Sequence, residues 1–396
     1  MRRRPWPVVA FRFRPARVDS AREPRRWARR AMNYWDYIKV EELLALQGGF
    51  DGDPATVGND ETLFIVAHQI YELWFKLALR ELSTARDVFR QNPVPDVELA
   101  QAVRSLRRVV VIFELAAQHF RVIETLTTRD YLEFRDRLIP ASGFQSAQLR
   151  EIEIVLGLDD GVRVPLGPEG SYKEALKSTD GGPSPASRRV EARIADGPTL
   201  KDAVDQWLAR TPIDGSSSDD AVDSFVGRFL ASHKAEVERR FHLAAGGATA
   251  PADAARLRSR YDAEIAAAES FLSGADGGAP AASPGARFKR RVRAAMVFLE
   301  SYRELPRLAW PREAVDALVA MEQSMLIWRQ RHARMVEREI GRRVGTGGSA
   351  GVDYLDQTAL RYRVFHDLWA VRALLIQKSA LPELEHADDY RFRVED

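Results

Sequence analysis

Along most of the chain apolar residues recur every three or four positions, the period of an amphipathic helix. In "DETLFIVAHQIYELWFKLALRELSTARDVFRQN" they fall at Leu63, Ile70, Leu73, Trp74 and Leu77. The spacing predicts a long helix with Asp60 as its N-cap and Asn92-Pro93 as its stop. "DVELAQAVRSLRRVVVIFELAAQHFRVIETL" predicts a second, and its nearly uniform apolar middle predicts a central position. "TTRDYLEFRDRLI" predicts a third, opened by Thr127 or Thr128 and closed before Pro140. "PASGFQSAQLREIEIVLGL" reads as a turn at Ser142-Gly143 followed by helix. Residues 158–196 crowd Gly, Pro, Ser and Asp together and read as loop. "TLKDAVDQWLARTP" returns to helix with Thr199 as N-cap, and further helices are expected near 218–243, 251–273, 287–304, 311–341 and 357–377. No alternating run is bounded by hairpin turns, and no internal repeat occurs. The expected fold is all-α: one large multi-helix domain over 32–396 with a small helical excursion near 199–272.

Composition narrows the class. A chain of 396 residues holds one large domain or two ordinary ones. At 45% hydrophobic and 29% charged it is a globular chain. No apolar run reaches about eighteen residues, so no membrane span is expected. The absence of cysteine excludes disulfides, thiolate catalysis and cysteine-ligated zinc or iron–sulfur sites. The net charge of +2 hides an asymmetry: residues 1–31 carry eleven arginines against two acidic residues, +9, leaving −7 on the remainder. This Arg/Pro-rich arm lacks the continuous apolar core of a secretory signal. A nucleic-acid arm or a transit peptide would share its charge. A disordered extension outside the fold is the simpler reading.

Candidate chemistry is sparse. There are seven histidines, none paired at i, i+4, and no HExxH. ExxH occurs once, at Glu383 and His386, so the doubled motif of di-iron bundles is missing. Dinucleotide, P-loop and nucleophile-elbow motifs are absent. Three i, i+4 pairs set an aromatic beside a group able to ligate or hydrogen-bond: Phe64 with His68, Tyr131 with Arg135, Trp328 with His332. Spacing alone favours ordinary roles, with Trp328 in the core and Arg135 paired to Asp136 or Glu133. "RRVGTGGSAG" at 342–351 follows a helix expected to end at Arg343. Its glycines, with Thr346 and Ser349, suit an anion nest as well as a helix C-cap and loop, and composition leaves both open.

Taken together and in order, "NYWDYIKVEELLALQ", "LFIVAHQIYELWFK", "LEFRDRLIPASGFQS", "WLARTP", "WRQRHARMVEREIG" and "GTGGSAGVDYL" resemble the tryptophan 2,3-dioxygenase family of haem enzymes over about residues 33–378. The resemblance implies an all-α fold, one haem b per subunit, and insertion of both atoms of O2 across the indole C2=C3 bond of L-tryptophan. The product would be N-formyl-L-kynurenine, at the first step of the kynurenine pathway. It implies His332 as the axial haem ligand, with Trp328 beside it. His68 would bond the indole N–H and Phe64 would pack on the ring. Arg135 would bind the substrate carboxylate, with Tyr131 next to it and Thr346 at the amino-acid end. Ser142 and Gly143 would line the distal haem face. Tyr34, Tyr37 and Ile38 would complete a neighbouring subunit's pocket in a homotetramer. A cytoplasmic enzyme without nucleic-acid or membrane partners is implied. The arm 1–31 and the region 158–198 depart from the family's pattern. A relative acting on a modified indole or a tyrosine-like substrate, and a non-catalytic haem sensor or helical interaction protein, are the competing readings.

Overall fold

The structure is a computed structural model that describes residues 32–166, 170–178, 181–247, 250–276, 280–346 and 350–391. The Arg/Pro-rich arm lies outside the described residues. Among these residues the fold is helical, with one isolated bridge, Ile213 to Ser216, and no strand. Contacts divide the chain into two compact units, Met1–Thr56 and Val57–Asp396. The first holds two short helices, α1 (Tyr34–Ile38) and α2 (Val40–Leu44). The Asn33 side chain caps α1 by accepting from the Asp36 N–H at 2.7 Å.

The second unit is built on three long helices: α3 (Asn59–Phe89), α4 (Asp96–Ile123) and α13 (Ala309–Ile340). Between α4 and α13 lie α5 (Thr128–Arg135), α6 (Ala147–Leu156), α7 (Tyr172–Ala175), α8 (Pro185–Ala195), α9 (Leu200–Arg210), α10 (Asp219–Ala245), α11 (Pro251–Ser273) and α12 (Pro284–Ser301). After α13 come α14 (Val352–Arg361) and α15 (His366–Ala370). On α3 the buried positions Ala67, Tyr71, Phe75, Ala78, Leu82 and Phe89 follow the helical period. Their small members let α4 approach closely, and α13 packs on α4 as well. Trp328 of α13 sits among Phe75, Phe113 and Phe120, with ring centroids 5.8–6.0 Å apart. Helix α9 joins this same core, its Trp207 packed on Phe89 at 5.1 Å.

Several boundaries differ from the sequence expectation. Gly58, not Asp60, is the N-cap of α3; Asp60 lies in the first turn, where its charge favours the helix dipole. Helix α4 is central, yet Val111, Leu115 and Val122 stay exposed on its outer face. The supposed loop 158–196 contains α7 and α8; Ser184 caps α8 and Pro185 occupies its first turn, a start signal hidden by the surrounding Gly and Pro. Helix α13 ends at Ile340, with Gly341 beyond it, rather than at Arg343. The single helix expected over 357–377 is interrupted. Its chain bends after Arg361 because the buried Glu322 carboxylate accepts the Val364 and Phe365 N–H groups at 2.5 and 2.9 Å, drawing them out of a helical ladder.

A second buried carboxylate ties the site helices together. Glu153 of α6 accepts from Arg150 at 3.0 Å, Arg163 at 2.7 Å and, across the core, Arg329 of α13 at 2.7 Å. Burial alone would raise its pKa, but three guanidinium groups hold it down at about 2. Replacing Glu153 with Leu leaves three buried cations without their shared anion. We expect a loss of about 3–5 kcal/mol, read as a lower urea midpoint, with Glu153→Gln losing less.

Candidate active site

Histidines on two of the core helices lie close enough to feel each other's charge. His68 lies on α3 and His332 on α13. Each ring is enclosed by protein yet keeps accessible surface. Burial pushes the His332 imidazole down to about 4, and nearby His68 and Arg329 push the same way. At neutral pH His332 is therefore an unprotonated imidazole with a lone pair to give. Its ring is stacked on Phe120 at 5.4 Å and 2°, and on Trp328 at 5.4 Å and 30°. These two contacts fix its plane. Trp328 is buried, as a core tryptophan would be, but its indole N–H has no partner.

His68 is also held below its ordinary pKa, by burial foremost, against the raising effect of its bond to Phe64 and of Glu72. Its Nδ1 lies 2.7 Å from the Phe64 carbonyl oxygen. A carbonyl can only accept, so Nδ1 carries the proton. The neutral ring then leaves Nε2 as a bare acceptor. The Phe64 ring packs against it at 4.1 Å and touches Tyr131 at 5.7 Å and Phe134 at 5.6 Å. Phe64, His68 and Tyr131 therefore form one wall.

Two long-range bonds bring the remaining groups together. Arg135, at the last turn of α5, donates through Nη2 to the Val344 carbonyl at 2.6 Å. The Thr346 hydroxyl donates to the Ala141 carbonyl, also at 2.6 Å. The start of the glycine-rich segment is thereby laid along the end of α5 and the stretch before Ser142. Arg135 is not the freely paired surface arginine of the plain reading: its Nε is buried without a partner, and Asp136 is only a loose neighbour at 3.8 Å. Ser142 caps a short 3-10 turn at Gly143–Gln145 through a capping box. A side chain at Gly143 would meet nothing within 4 Å, so the backbone there is open to an approaching group. At the far end of the segment, Gly351 has φ +58°, and a Cβ there would lie 2.7 Å from the Arg343 carbonyl. This glycine pins the two ends of the segment together. Gly347, Gly348 and Ser349 lie outside the described residues. Tyr34, Tyr37 and Ile38 lie in the first unit, on α1, with 73%, 75% and 41% of their surface exposed.

The sequence model of the family described as tryptophan 2,3-dioxygenase matches residues 19–375. The chain belongs to the tryptophan 2,3-dioxygenase family. It is 68% identical to the tryptophan 2,3-dioxygenase of Sorangium cellulosum, over all of this chain and 96% of that one. Identity to tryptophan 2,3-dioxygenase 2 of Ralstonia nicotianae is 60%, over 92% of this chain and 98% of the relative. Tryptophan 2,3-dioxygenase B of Danio rerio is 32% identical over 89% and 84%. The family match begins inside the Arg/Pro-rich arm. The family implies a haem cofactor, and among the described residues no helix is long and apolar enough to cross a membrane.

Sequence reading missed several members of this constellation. Phe120 stacks on His332 from α4, and no spacing within either helix links them. Val344 and Ala141 contribute backbone carbonyls, which no side-chain motif can reveal. Glu339 is a third. It lies two turns beyond His332 on the same face of α13, it is buried, and both carboxyl oxygens lack a partner. Burial raises its pKa, with Glu124 adding to the effect and Arg338 opposing it. A carboxyl whose folded pKa is raised contributes least cost below its ordinary value of 4.5, and stability falls as pH climbs above that toward the raised value. Glu339→Gln should therefore be more stable than the parent at pH 7, by roughly 1 kcal/mol, with the gain vanishing in acid. Urea midpoints across pH check this; a pH-independent difference would contradict it.

Proposed function

We propose that His332 would hold the iron of a haem b, one per subunit, and that His68, Phe64, Tyr131, Arg135 and Thr346 would bind L-tryptophan beside it. The reaction is that of the family, tryptophan 2,3-dioxygenation, the first step of tryptophan catabolism. The observation that carries the residue assignment is a pair of nearby neutral imidazoles of different chemistry. His332 offers a lone pair with its ring plane fixed by Phe120 and Trp328. His68 offers an acceptor nitrogen because the Phe64 carbonyl holds its proton on the other one.

The residues fit a haem on the chemistry of their donors: a neutral imidazole, apolar rings around it, and an open backbone at Gly143. When bound, haem iron supplies O2 activation and cleavage of the indole C2=C3 bond. The protein's own part is placement. His68 Nε2 accepts the indole N–H, which favours a free indole over a ring without that donor. Phe64 covers the ring and excludes water. Arg135 turns from the Val344 carbonyl to the substrate carboxylate, where two parallel N–H···O bonds set direction as well as binding. Thr346 follows with its segment, exchanging the Ala141 carbonyl for the substrate's amino-acid end. The exposed apolar residues of α1, Tyr34, Tyr37 and Ile38, would complete a neighbouring subunit's pocket in a homotetramer.

The deciding experiment is an absorption spectrum of the reduced protein with and without tryptophan, followed by addition of O2. Formylkynurenine should appear only with tryptophan present. His332→Ala should lose haem or hold it with an altered Soret band; unchanged haem content and spectrum would remove it as ligand. Arg135→Ala should lower kcat/KM for tryptophan by about 2–4 kcal/mol, mainly through KM. An unchanged KM would take Arg135 out of the pocket.

A further inference from the structure

Apart from the candidate active site, an open cavity of about 360 Å³ lies where α3, α6 and α8 meet. Its charge pattern is unusual for a surface. Lys76 and Arg80 lie one turn apart on α3, and Arg189 and Arg193 lie one turn apart on α8. Like charges at i, i+4 repel each other on a helix, and here two such pairs line the same cavity. A single carboxylate, Glu151 of α6, lines it with them. Glu151 is buried and already engaged, accepting from Arg189 Nε at 2.7 Å and Arg193 Nη2 at 3.4 Å. Arg193 also reaches Asp196 at 2.7 Å. Neither Lys76 nor Arg80 has a side-chain ion pair or hydrogen bond among the described residues, and Arg189 commits only its Nε. The cavity therefore holds three underused cations from two helices around a floor that one buried carboxylate cannot neutralise.

We propose that this cavity binds a small polycarboxylate, held at one end by Lys76 and Arg80 and at the other by Arg189. Guanidinium groups match carboxylates through paired N–H···O bonds, and charges from two helices favour a ligand with anionic groups at both ends over a compact single ion. The volume lies in the range of ordinary small-molecule sites. Gln148, which also lines the cavity, is held away from such a ligand: its amide donates to the Glu72 carbonyl and carboxylate at 2.7 and 2.8 Å. The proposal does not depend on the assignment of the haem site.

Isothermal titration of the full-length holoprotein with citrate and, separately, inorganic phosphate tests it at low ionic strength. Citrate should bind with a dissociation constant below about 1 mM, more tightly than phosphate, and should weaken as salt is added. The double variant Lys76→Gln/Arg80→Gln removes two exposed cations and should weaken citrate at least about tenfold. Arg189→Gln, a separate variant, should weaken it too. No citrate binding up to about 10 mM, equal binding by the double variant, or phosphate binding more tightly than citrate would each overturn the proposal.

Discussion

The packing of Trp328 between α3 and α4 is the contact on which the rest of the site depends. Its ring lies among Phe75, Phe113 and Phe120 and is almost wholly buried. A large aromatic side chain locked by three others fixes the rotation of α13 about its own axis, because any turn would push the ring into a neighbour. His332 is one turn further along. Its direction follows from that rotation, and its plane from Phe120, which belongs to the same aromatic group. The core and the site are thus one object. The helix that fills the interior is the helix that presents the imidazole, so the site inherits the rigidity of the core.

Buried charge divides into two kinds in this fold. Glu153 is surrounded by three guanidinium groups, and Glu322 by two backbone N–H groups and the Trp369 indole N–H. Both are satisfied, and both hold segments that sequence would let drift: Glu153 joins α6 to α13, and Glu322 shapes the bend after α14. Glu339 is the opposite case, a buried carboxyl with no partner on the face of α13 that carries His332. Satisfied buried carboxylates build the frame, whereas an unsatisfied one beside a site is a cost that packing elsewhere must offset.

Arg135 and Thr346 rest on backbone rather than on side chains. Arg135 and Thr346 each spend a donor on a carbonyl of the other's segment, Val344 and Ala141. Such bonds tie Val344 and Thr346 to the residues at and just beyond the end of α5, and a carboxylate would be a stronger acceptor for the guanidinium than a carbonyl. The same economy explains His68. One hydrogen bond within its own helix sets the tautomer and leaves the outward nitrogen as acceptor.

The sequence by itself determined the helices and their faces, because the 3.6-residue period is a local property written at adjacent positions. The caps at Thr127 and Thr199 and the turn at Ser142-Gly143 were legible for the same reason. The residues of the candidate site could be named from motifs, but their periodicity alone fitted an ordinary core histidine and a surface arginine. Tertiary structure decided what could not be local. It set α8 inside a stretch that composition marks as loop, and it broke the chain after Arg361 through a carboxylate about forty residues away. It brought His68 and His332 close together, though 264 positions separate them in the chain. It also placed Phe120 flat on His332. Those outcomes depend on which faces meet across the core, and on which buried polar groups find each other there, and neither is encoded in the spacing of any single helix.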